Sequence, residues 1–161
     1  MKQFRIIISG GGTGGHIFPA ISIASGFKKR FPGSNILFVG AINRMEMDIV
    51  PKYNFKIKGL WISGFQRSFS YKILIFPLKV LFSLIQSFLI IKKFKPDIVI
   101  GTGGFASGPL VITSQFLNIS NVIQEQNSFP GITTRWFANN ANKVCIAFEE
   151  SQSMIKKKCI L

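Results

Sequence analysis

Phe4-Arg5-Ile6-Ile7-Ile8-Ser9, running directly into Gly10-Gly11-Gly12-Thr13-Gly14-Gly15-His16, decides the class of fold. Three consecutive isoleucines suit a strand covered on both faces, as in a parallel sheet, rather than one with a wet side. The glycines that follow make a tight turn, and Phe18–Arg30 then has the spacing of a helix with Pro19 near its first turn. Glycine here permits φ > 0 and lets backbone N–H groups close on an anion that the helix dipole also favours.

The same alternation continues along the chain. Phe4–Ser9, Asn35–Val39, Phe55–Leu60, Pro96–Ile100, Asn121–Glu125 and Lys143–Phe148 are candidate strands. Phe18–Arg30, Arg44–Lys52, Pro77–Phe94, Gly108–Leu117, Gly131–Asn139 and Glu149–Lys157 are candidate helices. Strands alternating with helices predict an α/β protein with a Rossmann-like, doubly wound parallel sheet, whose ligands sit beyond the strands' carboxyl ends. With 161 residues and no internal repeat or low-complexity linker, residues 1–161 are read as one domain.

Composition narrows the partners. Hydrophobic residues make up 47% and charged residues 16%, which excludes a disordered chain. Twenty Lys and Arg against six Asp and Glu give a formal +14, which favours an anionic partner: nucleic acid, lipid headgroups or a phosphorylated substrate. A compositional bias towards Lys, Ile, Phe and Asn is the plainer account of the same numbers. No nucleic-acid motif is present, and the aromatics fall in apolar runs, so nucleic acid is not expected as a partner. Cys145 and Cys159 have no metal or redox spacing, so neither metal nor cofactor is expected, and a reduced cytosolic setting fits. Ile6–Ile8 runs at once into glycines and does not read as a secretory signal.

Gly10, Gly12 and Gly15 also satisfy G-x-G-x-x-G, the dinucleotide pattern. That reading wants an acid at the end of the second strand, whereas Val39-Gly40-Ala41 stands there and the first acid is Glu46. The phosphate-loop pattern fails as well, because no Gly-Lys-Ser/Thr follows. A second glycine loop, Gly101-Thr102-Gly103-Gly104-Phe105-Ala106-Ser107-Gly108-Pro109, again lies between a strand and a helix. Two such loops suggest one crevice lined by two sets of backbone donors, the alternative being two tight turns demanded by packing. A third strand end carries Gln124-Glu125-Gln126-Asn127, whose amides and carboxylate suit sugar hydroxyls.

Ile73–Ile91 is apolar enough to suggest a membrane span, but Pro77, Lys79, Ser83, Gln86 and Ser87 interrupt it. One central lysine costs about 2.5–3.5 kcal/mol on insertion scales. Helical periodicity gathers Lys79, Ser83, Gln86, Ser87 and Lys93 on one stripe and leaves a wide apolar arc. Trp61, Phe65, Arg67, Phe69, Tyr71 and Lys72 lie upstream, and Lys92, Lys93 and Lys95 downstream. Cations and interfacial aromatics around an apolar arc describe a helix lying in a headgroup layer. An ordinary crossover helix with an apolar coat is the other reading.

Gly11-Gly12-Thr13-Gly14-Gly15-His16 with Phe18-Pro19-Ala20, then Asn43-Arg44-Met45-Glu46, then Gly103 to Pro109, then Glu125-Gln126-Asn127 resemble the MurG family in order and spacing. The resemblance covers essentially the whole chain. It implies the N-terminal half of a GT-B glycosyltransferase that transfers GlcNAc from UDP-GlcNAc to lipid I, forming lipid II with inversion. It implies that this half holds the lipid acceptor at the cytoplasmic face of the inner membrane, with an anionic membrane surface as partner. A C-terminal donor domain, in the same or a separate chain, would hold most of the donor.

By position, the resemblance assigns Gly11, Gly12, Gly103, Gly104, Ser107 and Gly108 to the acceptor pyrophosphate. It assigns Thr13, Gly14, Gly15 and Asn127 to the donor sugar. His16 and Glu125 are competing candidates for the base, and Trp61, Phe65, Tyr71, Lys72, Lys92 and Lys93 for membrane contact. Phe105 and Gln124 stand where family members often carry Tyr and His, so neither receives a proton-transfer role. The chain ends near where the family crosses into its donor domain, so alone it should lack most donor affinity. A non-catalytic, membrane-associated module that binds lipid pyrophosphate is the competing reading.

Overall fold

The computed structural model describes residues 3–64 and 72–161, with 72–74 described by backbone alone. The elements run β1 (Arg5–Ser9), α1 (Gly14–Arg30), β2 (Asn35–Ala41), α2 (Glu46–Lys52), β3 (Lys56–Leu60), α3 (Lys72–Phe94), β4 (Ile98–Gly101), α4 (Ser107–Phe116), β5 (Asn121–Glu125), α5 (Ile132–Phe137) and β6 (Lys143–Ile146). Short 3-10 turns occupy Ala138–Asn140 and Glu149–Met154. The six strands pair in the order β3-β2-β1-β4-β5-β6, all parallel. This is the doubly wound arrangement, with its switch point between β1 and β4.

The isoleucine run explains the centre. Ile6, Ile7 and Ile8 have no exposed surface, and alternate residues face opposite sides of the sheet. Ile7 packs with Leu37, Val39, Val99 and the α3 and α4 residues Ile90, Ile91 and Leu110. Ile6 and Ile8 pack with Ile36, Phe38 and the α1 residues Ile17, Ala20, Ile21 and Ala24. Each fully buried isoleucine contributes about 1.5–3 kcal/mol. The edge strand β3 keeps Lys56 and Lys58 exposed, charges that discourage pairing with another chain. At the other edge Cys145 of β6 is bridged, parallel, by Ile160.

Three helical expectations need correction. Helix α3 begins at Lys72 rather than Pro77, so Pro77 lies inside it. Helix α1 starts at Gly14, not Phe18, because Thr13 adopts the extended conformation of an N-cap and its carbonyl accepts the N–H of His16 and of Ile17. Pro19 therefore lies inside the helix. The expected helix Glu149–Lys157 is instead a 3-10 turn ending at Met154. There the buried Ser151 donates its hydroxyl to the Asn127 carbonyl at 2.7 Å. The Gln152 amide donates to the carbonyls of Ile155 and Lys157, which turns the chain.

In α3 the polar stripe faces inward over Lys79, Ser83, Gln86 and Ser87, while Lys93 at its end is exposed. Ser83 and Ser87 are fully buried, and their hydroxyls donate to the carbonyls of Val80 and Ser83. The Gln86 side chain accepts the Trp61 N–H at 2.9 Å, and the Lys79 ammonium donates to the Ser63 hydroxyl at 3.2 Å. The outward stripe is Leu78, Leu81, Phe82, Ile85, Phe88 and Leu89, the last 59% exposed. Small serines let α3 sit close on the sheet, and the leucines and phenylalanines are left pointing away from it.

Candidate functional site

The switch point brings both glycine loops together. β1 and β4 are direct neighbours, with Ser9 opposite Gly101, so the loops that leave them emerge side by side. Thr102 stitches them: its hydroxyl donates to the His16 carbonyl at 2.8 Å, and its own carbonyl lies 3.1 Å from His16 Nδ1. Gly104 adopts φ +77°, and a Cβ there would collide with the Gly11 carbonyl. Only glycine permits both that backbone conformation and that approach.

A buried carboxylate holds the first loop from below. Glu46 has no exposed surface; its Oε2 accepts the Gly12 N–H at 3.0 Å and its Oε1 accepts the Ala41 N–H at 2.9 Å. A Cβ on Gly11 would run into that carboxylate, and one on Gly40 into its Cγ. Among the described residues no acceptor takes the N–H of Gly14 or Gly15, the first two residues of the 17-residue α1. Those two donors, at the positive end of the helix dipole, are open to an anionic or polar ligand. Thr13 is exposed and its hydroxyl caps nothing.

The second loop is more enclosed. Gly103 and Gly108 are buried, and Ser107 is 1% exposed with its hydroxyl donated to the Gly104 carbonyl at 2.9 Å. Thr133 donates to the same carbonyl at 3.2 Å. Ser107 and Gly108, expected on a ligand, thus lie beneath the loop. Phe105 packs over Gly12 and Gly64, and the exposed Arg44 guanidinium stands 5.7 Å from its ring centre, placing a cation beside the crevice.

The β5 strand end supplies the third wall. Glu125 is 1% exposed; Oε1 accepts from the Asn127 backbone N–H at 3.1 Å and its side-chain amide at 2.8 Å. Its Oε2 accepts from the Gly131 N–H at 3.0 Å and the Thr134 hydroxyl at 2.7 Å. Four donors occupy both oxygens, so Glu125 fixes the loop and anchors Asn127, which is exposed. Gln126 places its side-chain amide 2.6 Å from His16 Nδ1. His16 is half-buried, and its Nε2 has no hydrogen-bond partner among the described residues.

The residues expected at a membrane form a separate surface. Trp61 lies against Phe82 at 5.7 Å between ring centres, with the Lys79 ammonium 5.8 Å over its indole. Lys92 and Lys93 close the far end of α3, with the Lys92 ammonium 5.5 Å from the Phe88 ring centre. Phe65 and Tyr71, like Arg67 and Phe69, lie outside the described residues, and Lys72 opens α3. Beside that face α4 adds Ile112 and Phe116, the latter 81% exposed, to an apolar cleft of about 390 Å³ shared with Leu84, Ile85 and Phe88. No group of three or more His, Cys, Asp or Glu side chains is placed to hold a metal among the described residues.

Sequence reasoning missed three members of the site. Glu46, Thr102 and Gln126 have a place in motifs or loops of the sequence, which assigns none of them a role at the site. The signal that could have found Glu46 is Gly40, six residues before it in a strand of large apolar residues: a position without Cβ there leaves room for a bulky group.

Residues 6–146 match the glycosyltransferase family 28 N-terminal domain. The chain is 60% identical over 151 residues to the UDP-N-acetylglucosamine–N-acetylmuramyl-(pentapeptide) pyrophosphoryl-undecaprenol N-acetylglucosamine transferase of Christiangramia forsetii, covering 93% of this chain and 41% of that protein. It is 53% identical to the like-named enzyme of Flavobacterium psychrophilum, covering 98% of this chain and 43% of that protein. The crystal structure of Acinetobacter baumannii MurG superposes with a TM-score of 0.80 at 28% identity, covering 92% of this chain and 43% of the other. A putative UDP-N-acetylglucosamine 2-epimerase from Listeria monocytogenes shares the fold at TM-score 0.69 and 10% identity, covering 96% of this chain and 42% of the other. The chain thus spans about two fifths of the length of the curated relatives it matches.

Proposed function

The chain belongs to the family of glycosyltransferase family 28 N-terminal domains, and from that premise we propose that it is the acceptor-holding, membrane-contacting half of an inverting transferase. The enzyme moves GlcNAc from UDP-GlcNAc onto lipid I, giving lipid II for peptidoglycan, at the cytoplasmic face of the inner membrane. A C-terminal donor domain, carried by the same or a separate chain, completes it. The observation that carries this reading is the meeting of two glycine loops and one histidine at the β1/β4 switch point.

The acceptor pyrophosphate is assigned to the edge formed by Gly11, Gly12, Gly103 and Gly104, with Ser107 and Gly108 bracing the second loop and Arg44 supplying charge. Thr13, Gly14, Gly15 and Asn127 face the donor sugar across the cleft. His16 is the base: it takes the proton of the acceptor hydroxyl as that oxygen attacks the anomeric carbon opposite UDP. The bond to UDP breaks, and UDP departs with the electron pair. Glu125, its oxygens already holding four donors, positions Asn127 instead of accepting that proton.

The α3 face supports the membrane part. A stripe of exposed Leu, Ile and Phe, with Trp61 beside it and Lys92 and Lys93 at its end, suits an interface of acyl chains and anionic headgroups.

The deciding experiment combines this chain with a separately expressed donor domain and follows labelled GlcNAc onto lipid I. Transfer is expected, and His16→Ala should slow it by about 10²–10⁴-fold, the usual worth of a positioned base. A well-folded pair that stays inactive would instead point to a non-catalytic module that binds lipid pyrophosphate.

A further inference from the structure

We infer that Gln126 sets the tautomer of His16, keeping the proton on Nδ1 and leaving Nε2 as a free lone pair. The inference rests on the assignment of His16 as the base but is tested without substrate. Two polar groups converge on Nδ1: the Thr102 carbonyl at 3.1 Å and the Gln126 side-chain amide at 2.6 Å. The carbonyl can only accept, so it is satisfied only if Nδ1 carries hydrogen. The amide can present either of its ends, since a half-turn exchanges nitrogen and oxygen.

With its nitrogen towards the ring, the amide opposes the Nδ1–H that the carbonyl requires. It also leaves Oε1 buried with no donor among the described residues. With its oxygen towards the ring, Nδ1–H is shared between two acceptors and the conflict is gone. Burial at the far end of the amide weighs on both orientations; the Thr102 carbonyl, which needs Nδ1–H, decides for the second.

The ring has little freedom to escape this choice. A Cβ at Gly103 would stand 2.7 Å from Nδ1 and 2.8 Å from Cε1, so the imidazole lies directly on that loop. The nitrogen that remains, Nε2, meets no protein donor or acceptor among the described residues and is the one available to take a proton. Gln126 is in this sense a positioning residue, doing for an uncharged network what a carboxylate does beside many catalytic histidines.

His16 is the only histidine of the chain, so its ring nitrogens can be read by long-range ¹H–¹⁵N NMR of the 161-residue protein with no assignment problem. At a pH where the ring is neutral, Nδ1 should give the protonated, pyrrole-type signal and Nε2 the unprotonated, pyridine-type signal. Gln126→Ala should shift the tautomer ratio towards Nε2–H by about fivefold, the worth of one neutral hydrogen bond. Gln126→Glu, which keeps an acceptor at that place, should retain Nδ1–H. An Nε2–H tautomer in the unsubstituted protein would overturn the inference, even if Gln126→Ala failed to fold. A ratio unmoved by Gln126→Ala in a folded protein would remove Gln126 from it. Because no substrate is present, either result is separate from failure of the transfer assay.

Discussion

Glu46→Ala removes the carboxylate on which the first glycine loop rests. Two backbone donors, the half-buried Gly12 N–H and the buried Ala41 N–H, would lose an acceptor that has no exposed surface. A hydrogen bond to a charged group contributes about 1.5–3 kcal/mol, so two of them give roughly 3–6 kcal/mol. Water entering the vacated space returns part of that, and an expected loss of about 3–5 kcal/mol is a large share of the 5–15 kcal/mol typical of a domain. Glu46→Gln, which keeps one acceptor and turns an NH₂ towards the other donor, should cost about 2 kcal/mol. Urea denaturation followed by tryptophan fluorescence measures both. The sharper test pairs Glu46→Ala with Gly11→Ala. In the unsubstituted protein the Gly11 Cβ would overlap the Glu46 carboxylate, costing about 1–3 kcal/mol. In the Glu46→Ala background that obstacle is absent and the cost should largely vanish. Equal costs for Gly11→Ala in both backgrounds, or a Glu46→Ala loss under about 1 kcal/mol, would refute the reasoning.

Leu81→Ser with Leu89→Ser should weaken flotation with anionic liposomes while leaving the melting temperature almost unchanged, because both side chains are more than half exposed. Changing Lys92, Lys93 and Lys95 to Glu, or raising the salt, should weaken it too, and flotation indifferent to all of these would remove the membrane assignment. Burial pushes the Cys145 thiol up, and burial followed by the nearby charge of Cys145 pushes Cys159 up. Thiols raised in the fold contribute stability that is fully present below the ordinary thiol range and is lost as pH rises through the folded values. Denaturation midpoints should therefore fall from pH 7.5 to pH 10 by less in a Cys145→Ser, Cys159→Ser protein than in the unsubstituted one; identical falls would exclude the thiols as the cause.

The fold was legible because its strands are unambiguous. Ile6–Ile8, Ile36–Val39 and Val99–Ile100 are apolar runs too short for helices, and each is followed by glycine or a turn. Asn121–Glu125 matches the strand found, four others are off by one or two residues at one end, and Pro96–Ile100 is off at both. The start of α1 was not legible, because Gly14 and Gly15 carry no helical preference and take helical form only through Thr13. The direction of the α3 stripe was not legible either: periodicity gathers Ser83 and Ser87 on one side without saying which side meets the sheet. At the site, the loops and His16 could be named from their spacing. What each side chain does there depended on contacts across 34 to 110 residues, between Gly12 and Glu46 and between His16 and Gln126, and no local pattern encodes those.

The placement of β1 between β2 and β4 has a consequence for how the protein is made. Its first partner follows within thirty residues, but its second begins at Ile98, so one edge of an isoleucine strand stays open while some ninety residues emerge. Loop closure over that span is slow relative to hairpins and local helices. During synthesis, an amino-terminal half of three strands would present that open edge to other nascent chains, a template for misassembly. Expression at lower temperature, or with a chaperone that covers apolar strands, should therefore raise the soluble yield more than any change at the crevice.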